Sequence, residues 1–351
     1  MSLENKNKVV SLEESEKLKD RGYLALDSHI HSSHSYDVPD SSRTTPEKII
    51  AEQEKRRLLK VITDHDTMTA HDYLSRNDVI TGVEIKIKPK IMRLANTKDI
   101  MHTLHVNVYG LNNSQFNDLE AISSDTADLD QFIEYLWSEK LKYQYNHPFW
   151  HERNESMNWK VVPEIAQNYF DVLELNAGRP QILNDLAFYL AQEYNKGVTS
   201  STDTHTGRPG RAIVLAKGKD FDEMWDNIKN RQMYIVRNDM TALGLMEEVA
   251  YMIENIYDEK RHKNKAYTLN TGIPILDSIV KGIYKTGTNN MIGKLTYKGL
   301  GSFNNRFGEK LADKLYLSKE KKFGHDISER IADIIYATNL QYRIPAMNYV
   351  Q

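Results

Sequence analysis

The chain has 351 residues, of which 40% are hydrophobic and 9% aromatic, with a net charge of −3. That balance excludes a disordered or fibrous protein and offers no bulk charge for gripping nucleic acid or an anionic membrane. Cysteine is absent, so disulfides and thiolate ligands are excluded and any metal must be held by nitrogen and oxygen donors. The opening MSLENKNKVVSLEESEKLKDRG is charged throughout, and no run reaches about 18 apolar residues. A cytoplasmic location without a membrane partner is the expectation.

In chain order, residues 8–20 alternate apolar and charged groups at helical spacing, and YLALDSHIHS reads as a buried strand ending in histidines. TTPEKIIAEQEKRR has a threonine at the N-cap and Pro46 in the first turn, both favourable for starting a helix. LLKVITDHDT, DVITGVEIKIK, HTLHVNVYGL, YQYNHPFW, YFDVLELNAG and GVTSSTDTHTG are further strands, with helices around DLDQFIEYLWSEKL and ILNDLAFYLAQEYN. This alternation predicts a parallel β/α architecture closed into a barrel, because polar residues recur at successive strand ends, where such barrels carry their sites. From about Thr241 the pattern becomes mostly helical. The expected division is an N-terminal helical segment at 1–22, a barrel over 23–240 and a largely helical region over 241–351. Lys310, Lys314, Lys319, Lys321 and Lys322 read as a solvated helix face rather than a nucleic-acid grip.

Nine residues between 29 and 205 form a candidate ligand set for one multinuclear metal site. They are His29, His31, Asp37, His65, Glu84, His105, His147, Asp203 and His205. His29 and His31 are two apart on an extended segment, so both face one side while Ile30 packs the other way; Asp203 and His205 repeat that spacing near Gly207, which lets backbone approach closely. Asp64 and Asp66 flank His65, where a carboxylate can orient a ligating ring. Glu84 has two oxygens with which to bridge two ions. His105 is preferred to His102 because it begins a strand, and His147 to His151 because Pro148 fixes the backbone at a strand end. Asp66 and His34 are the candidate catalytic residues, weighed against a capping turn for Asp66 and a solvent-facing position for His34. His71, His151, His262 and His325 read as surface or packing residues.

Taken together, DSHIH, TDHD, the glutamate of GVEI, NHP and STDTH resemble the hallmarks of the polymerase and histidinol phosphatase (PHP) family over residues from about 24 to 240. The resemblance implies an irregular (β/α)7 TIM-like barrel and two to three divalent ions, Zn, Mn or Fe. It would place one ion on His29, His31, Glu84 and Asp203, and a second on Glu84, His105 and His147. A third would lie on Asp37, His65 and His205. STDTH stands where SDSH is frequent, and YDVPDSS where SDG is common in one branch. The implied activity is phosphoester hydrolysis by a metal-bridging hydroxide.

Three divalent ions set against three carboxylates and one hydroxide leave about +2, matching the charge of a phosphate monoester. Arg179, Arg208 and Arg211 lie after strand ends, where they could fork onto phosphate oxygens or form loop salt bridges. The expected partner is a small phosphorylated substrate such as a mononucleotide, nucleoside bisphosphate or sugar phosphate. Long nucleic acid is less favoured, because residues 1–240 hold 30 Lys+Arg against 37 Asp+Glu. The competing readings are an amidohydrolase-like C–N hydrolase, which would normally need a bridging lysine, and a non-catalytic metal-binding scaffold with a partner-binding tail.

Overall fold

The computed structural model describes residues 8–88, 102–126, 128–152, 155–258 and 278. The chain begins with β1 (Lys8–Val9), α1 (Leu12–Asp20), β2 (Leu24–Leu26), α2 (Pro46–Lys55), β3 (Val61–Ile62) and α3 (Thr69–Leu74). It continues through β4 (Ile80–Ile87), β5 (Leu104–Tyr109), α4 (Asn113–Ala121), α5 (Leu129–Ser138), β6 (Lys142–Tyr145), α6 (Val162–Tyr169) and β7 (Val172–Asn176). The last described elements are α7 (Gln181–Glu193), β8 (Gly197–Ser201), β9 (Ile213–Ala216), α8 (Phe221–Lys229), β10 (Met233–Val236) and α9 (Ala242–Asp258).

Local chemistry explains these elements. Thr45 caps α2 by accepting a hydrogen bond from the Lys48 amide, with Pro46 in the first turn. α7 buries Leu183, Ala187, Leu190 and Ala191 at helical spacing, and α5 buries Leu129, Phe132, Ile133 and Leu136. β5, β7 and β8 are buried along their whole length, as strands covered on both faces must be.

Strands β3, β4, β5, β6, β7 and β8 form one six-stranded sheet in that order, curled into a half-barrel. The uniformly parallel pattern expected from the sequence needs correction at β5, which is antiparallel to both β4 and β6. Lys86 near the end of β4 therefore pairs with His105 at the start of β5, so His105 reaches the same rim as residues at the ends of parallel strands. A second sheet has the order β1, β10, β9, β2. The N-terminal segment is thus part of a sheet, with β1 parallel to β10.

The stretch after β2 spans the two edges of the half-barrel. The Thr63 amide donates to the Ile30 carbonyl at 2.8 Å, and the His31 and Asp203 amides bond to the carbonyls of Thr204 and His29 at 3.2 and 2.9 Å. No helix among the described residues is long and apolar enough to cross a membrane. Of the expected helical region at 241–351, α9 and residue 278 are described. The lysines at 310, 314, 319, 321 and 322, with His262 and His325, lie outside the described residues.

Candidate metal centre

Ile30 is fully buried in a cluster with Ile49, Ile50 and Ile62, which turns the rings of His29 and His31 the other way, into the mouth of the half-barrel. There four donor atoms converge. His29 Nε2 lies 3.0 Å from His31 Nε2 and 3.0 Å from Glu84 Oε2, with Asp203 Oδ1 at 3.5 Å. His31 Nε2 is 3.3 Å from Glu84 Oε2 and 3.1 Å from Asp203 Oδ1. Donors about 2.0 Å from a tetrahedral ion stand about 3.3 Å apart, so these spacings fit one cation. Two imidazole nitrogens that face each other and two carboxylates need a positive centre between them.

Glu84 divides its oxygens between two donor sets. Oε2 belongs to the cage just described, whereas Oε1 lies 2.9 Å from His105 Nδ1 and 3.4 Å from His147 Nε2. Asp37 Oδ2 lies 2.9 Å from His205 Nε2 and 3.3 Å from His65 Nε2. Asp37 Oδ1 is buried without a hydrogen-bond partner, an orphan that a bound cation would satisfy. His65 links the groups, since its Nδ1 is 3.0 Å from Glu84 Oε2. The structure therefore brings all nine expected ligands together.

Electrostatics favours positive charge at four of the histidines, whereas burial lowers the pKa of His147. Burial alone would strip protons from the imidazoles, yet Glu84, Asp37 and Asp203 raise His29 and His65 well above their usual range, and His105 and His205 to about 9. Burial likewise opposes ionisation of Asp37, Glu84 and Asp203, and the adjoining histidines nevertheless hold all three well below theirs. Backbone strain gathers here too, with Asp66, His147 and Asp203 at φ of 46°, 26° and 49°, conformations that non-glycine residues adopt at a cost of about 1–3 kcal/mol each. Gly207 permits the approach expected of it, since a Cβ there would lie 2.4 Å from the Arg43 carbonyl oxygen.

Other candidates are placed differently. The carboxylate of Asp64 accepts from the Ser32 amide and hydroxyl, and Asp66 Oδ1 accepts from the Lys86 amide. These contacts make both carboxylates braces between neighbouring segments. His34 lies against Tyr73, with ring centroids 5.7 Å apart, outside the donor groups. His71 holds the backbone of Ile62 and Gly82, a packing role.

The arginines also divide. Arg179 stacks on Trp150 at 3.6 Å and donates from Nη2 to Asp203 Oδ2 at 2.8 Å, while its Nε is buried without a partner. Arg208 and Arg211 are instead turned to Glu248 of α9, and Arg208 lies over Tyr251 at 4.0 Å. For these two, salt bridging is what the structure contains.

Three acidic residues escaped sequence reasoning. Glu174, in the middle of buried β7, accepts His29 Nδ1–H and the Ser201 hydroxyl at Oε1, and the His147 amide and Asn176 side chain at Oε2. With both oxygens filled by donors, it orients His29 rather than ligating. Glu155 lies 2.9 Å from His105 Nε2. Asp27 accepts from Thr202 and the Gly210 amide, and burial pushes its carboxyl up to about 6. A signal existed for Glu174, since a carboxylate flanked by leucines in a buried strand must have buried partners.

No family model matches the chain, and no curated protein matches it. Similar solved structures exist. PsfC from Pseudomonas syringae is 12% identical with a TM-score of 0.46, the match covering 66% of this chain and 99% of that one. The lesion-specific endonuclease Q of Pyrococcus furiosus is 17% identical with a TM-score of 0.42, covering 61% and 57%. A provisionally assigned metal-dependent phosphoesterase from Bifidobacterium adolescentis is 15% identical with a TM-score of 0.34, covering 62% and 98%. These three TM-scores lie below 0.5, so what the site can do is argued from its donors.

Proposed function

We propose that the chain is a metal-dependent phosphoester hydrolase on a PHP-like irregular (β/α)7 barrel, acting on small phosphate esters such as mononucleotides, nucleoside bisphosphates or sugar phosphates. The observation that carries this reading is Glu84, whose two oxygens face separate histidine sets, with Asp37, His65 and His205 alongside. Residues His29, His31, Glu84 and Asp203 would hold one ion, Glu84, His105 and His147 a second, and Asp37, His65 and His205 a third. Zn, Mn and Fe(II) all accept such mixed nitrogen and oxygen donors. When bound, the ions supply a nucleophilic hydroxide at neutral pH and positive charge for the transferred phosphoryl oxygens.

The chain's own residues supply position and recognition. Arg179, held between Trp150 and Asp203, has a buried Nε–H without a partner, a donor that a phosphate oxygen would satisfy. The Asp203 oxygen that Arg179 uses is not the one facing His31, so one residue serves both the cage and the arginine. Glu84 also faces both donor sets, where the competing C–N hydrolase reading would normally need a lysine.

The test is phosphate release from nucleoside mono- and bisphosphates and sugar phosphates by metal-reconstituted protein, beside an Asp203→Asn, His205→Ala double variant. Release that vanishes in the variant supports the proposal. Silence across the panel, in protein verified to hold metal, refutes it.

A further inference from the structure

Building on the proposed metal centre, we infer that Glu155, anchored by Lys86, is a positioning residue that makes His105 an Nδ1 ligand and thereby sets the affinity of the ion shared by Glu84, His105 and His147. His105 is wedged between two carboxylates. Its Nδ1 faces Glu84 Oε1 at 2.9 Å, on the His147 side, and its Nε2 faces Glu155 Oε1 at 2.9 Å. Only one nitrogen can offer a lone pair to a metal while the other keeps its proton.

The surroundings of Glu155 decide which. Its Oε1 also accepts from the Lys86 ammonium at 2.7 Å, and its Oε2 accepts from the Glu152 amide at 2.8 Å. Both oxygens are thus occupied by donors, and the side chain is 4% exposed. Glu155 Oε1, which already holds the Lys86 ammonium, can therefore take a proton-bearing nitrogen from His105 but has no further lone pair for a cation on that side. On the other side, Glu84 Oε1 already belongs to a donor set containing a second imidazole. The proton belongs at Nε2 and the metal at Nδ1.

His29 is wired in the opposite sense. Its Nδ1 donates to Glu174, and its Nε2 enters the cage. The two glutamates thus select opposite tautomers at the two ends of one centre. Register explains why Lys86 can serve: it lies two residues beyond Glu84 on β4, on the same face, and pairs across the sheet with His105. A carboxylate orienting a ligating histidine alters metal affinity by about 10- to 100-fold.

The experiment uses full-length zinc-loaded protein in two parts. Nitrogen-15 NMR of the imidazoles in the unaltered protein should report a protonated Nε2 and a metal-bound Nδ1 at His105; the reverse assignment overturns the inference and does not depend on any variant folding. Competition with a zinc chelator should then show Glu155→Gln weakening one ion by about 10- to 100-fold while the most tightly held ion is unchanged. In a His105→Ala background the same substitution should add nothing. Uniform weakening of all ions, or an additive effect in that background, overturns the proposal. If the unaltered protein binds no zinc, it is the metal-centre reading itself that fails.

Discussion

Acidification should destabilise the fold through His102, the histidine that competes in the sequence with His105 for a ligand role. His102 is buried, accepts the Asn158 amide at Nδ1 and meets the Tyr145 hydroxyl at Nε2. Both nitrogens are thereby committed in the neutral ring. Burial, with His151 and His105 adding to it, lowers its pKa from 6.5 to about 3. Because the folded value lies below the unfolded one, stability is complete above pH 6.5 and is lost as pH falls from there toward about 3. Between pH 7.5 and pH 5 the unfolded chain gains a proton that the folded chain refuses, costing about 1.5 pK units, or about 2 kcal/mol. Urea unfolding of the unaltered protein and of His102→Gln at both pH values measures this. Other titrating groups cancel in the double difference, in which the unaltered protein should lose about 2 kcal/mol more than the variant. Equal losses would show that His102 protonates in the folded state, and the neutral, non-ligating assignment would fall.

Four substitutions at and around the site have defined outcomes. Glu174→Gln should weaken zinc binding about 10- to 100-fold in chelator competition, since it disturbs the partner of His29; unchanged affinity would mean that Glu174 does not orient the ring. Arg179→Lys should lower kcat/KM for a phosphate ester by about tenfold or more at constant metal content, because an ammonium cannot reproduce the stacked, forked contact. By contrast, Arg208→Gln should leave kcat/KM within about twofold and speed amide exchange in α9; the reverse pattern would return Arg208 to the substrate. Gly207→Ala should destabilise the chain by about 1–3 kcal/mol, since φ is 77° and the new methyl meets the Arg43 carbonyl. A melting temperature unaltered by that substitution would show that the loop after His205 yields freely.

The ligand residues were legible because metal chemistry restricts both their type and their spacing. His29 and His31 must share a face, and on an extended segment only a two-residue step does that. Several strand positions were legible for the same reason, as apolar runs with a donor in or next to them, as at β3, β4, β6 and β8. The direction of β5 was not, because apolar alternation reads the same in either direction and the connection before it carries no tight-turn signature. It is this reversal that sets Lys86 opposite His105 and so brings Glu155 within reach of the ring.

The residues that orient the ligands were hidden for a different reason. A metal ligand is recognised by its own chemistry, whereas Glu174 and Glu155 act through one hydrogen bond to a residue far away in the chain, and nothing in local spacing encodes that partner. The arginines illustrate the converse. Arg179, Arg208 and Arg211 look alike after strand ends, yet Glu248 of α9 takes two of them and leaves one beside Asp203. Whether a cation recognises substrate or fastens a helix is decided by which carboxylate reaches it first, and that choice belongs to tertiary packing. A buried carboxylate without a local partner is nevertheless visible in sequence, as in VLELN of β7. Such a residue in a strand next to candidate ligands identifies the position of a histidine-orienting group before its partner is known, because burial of an unpaired charge would otherwise cost several kcal/mol.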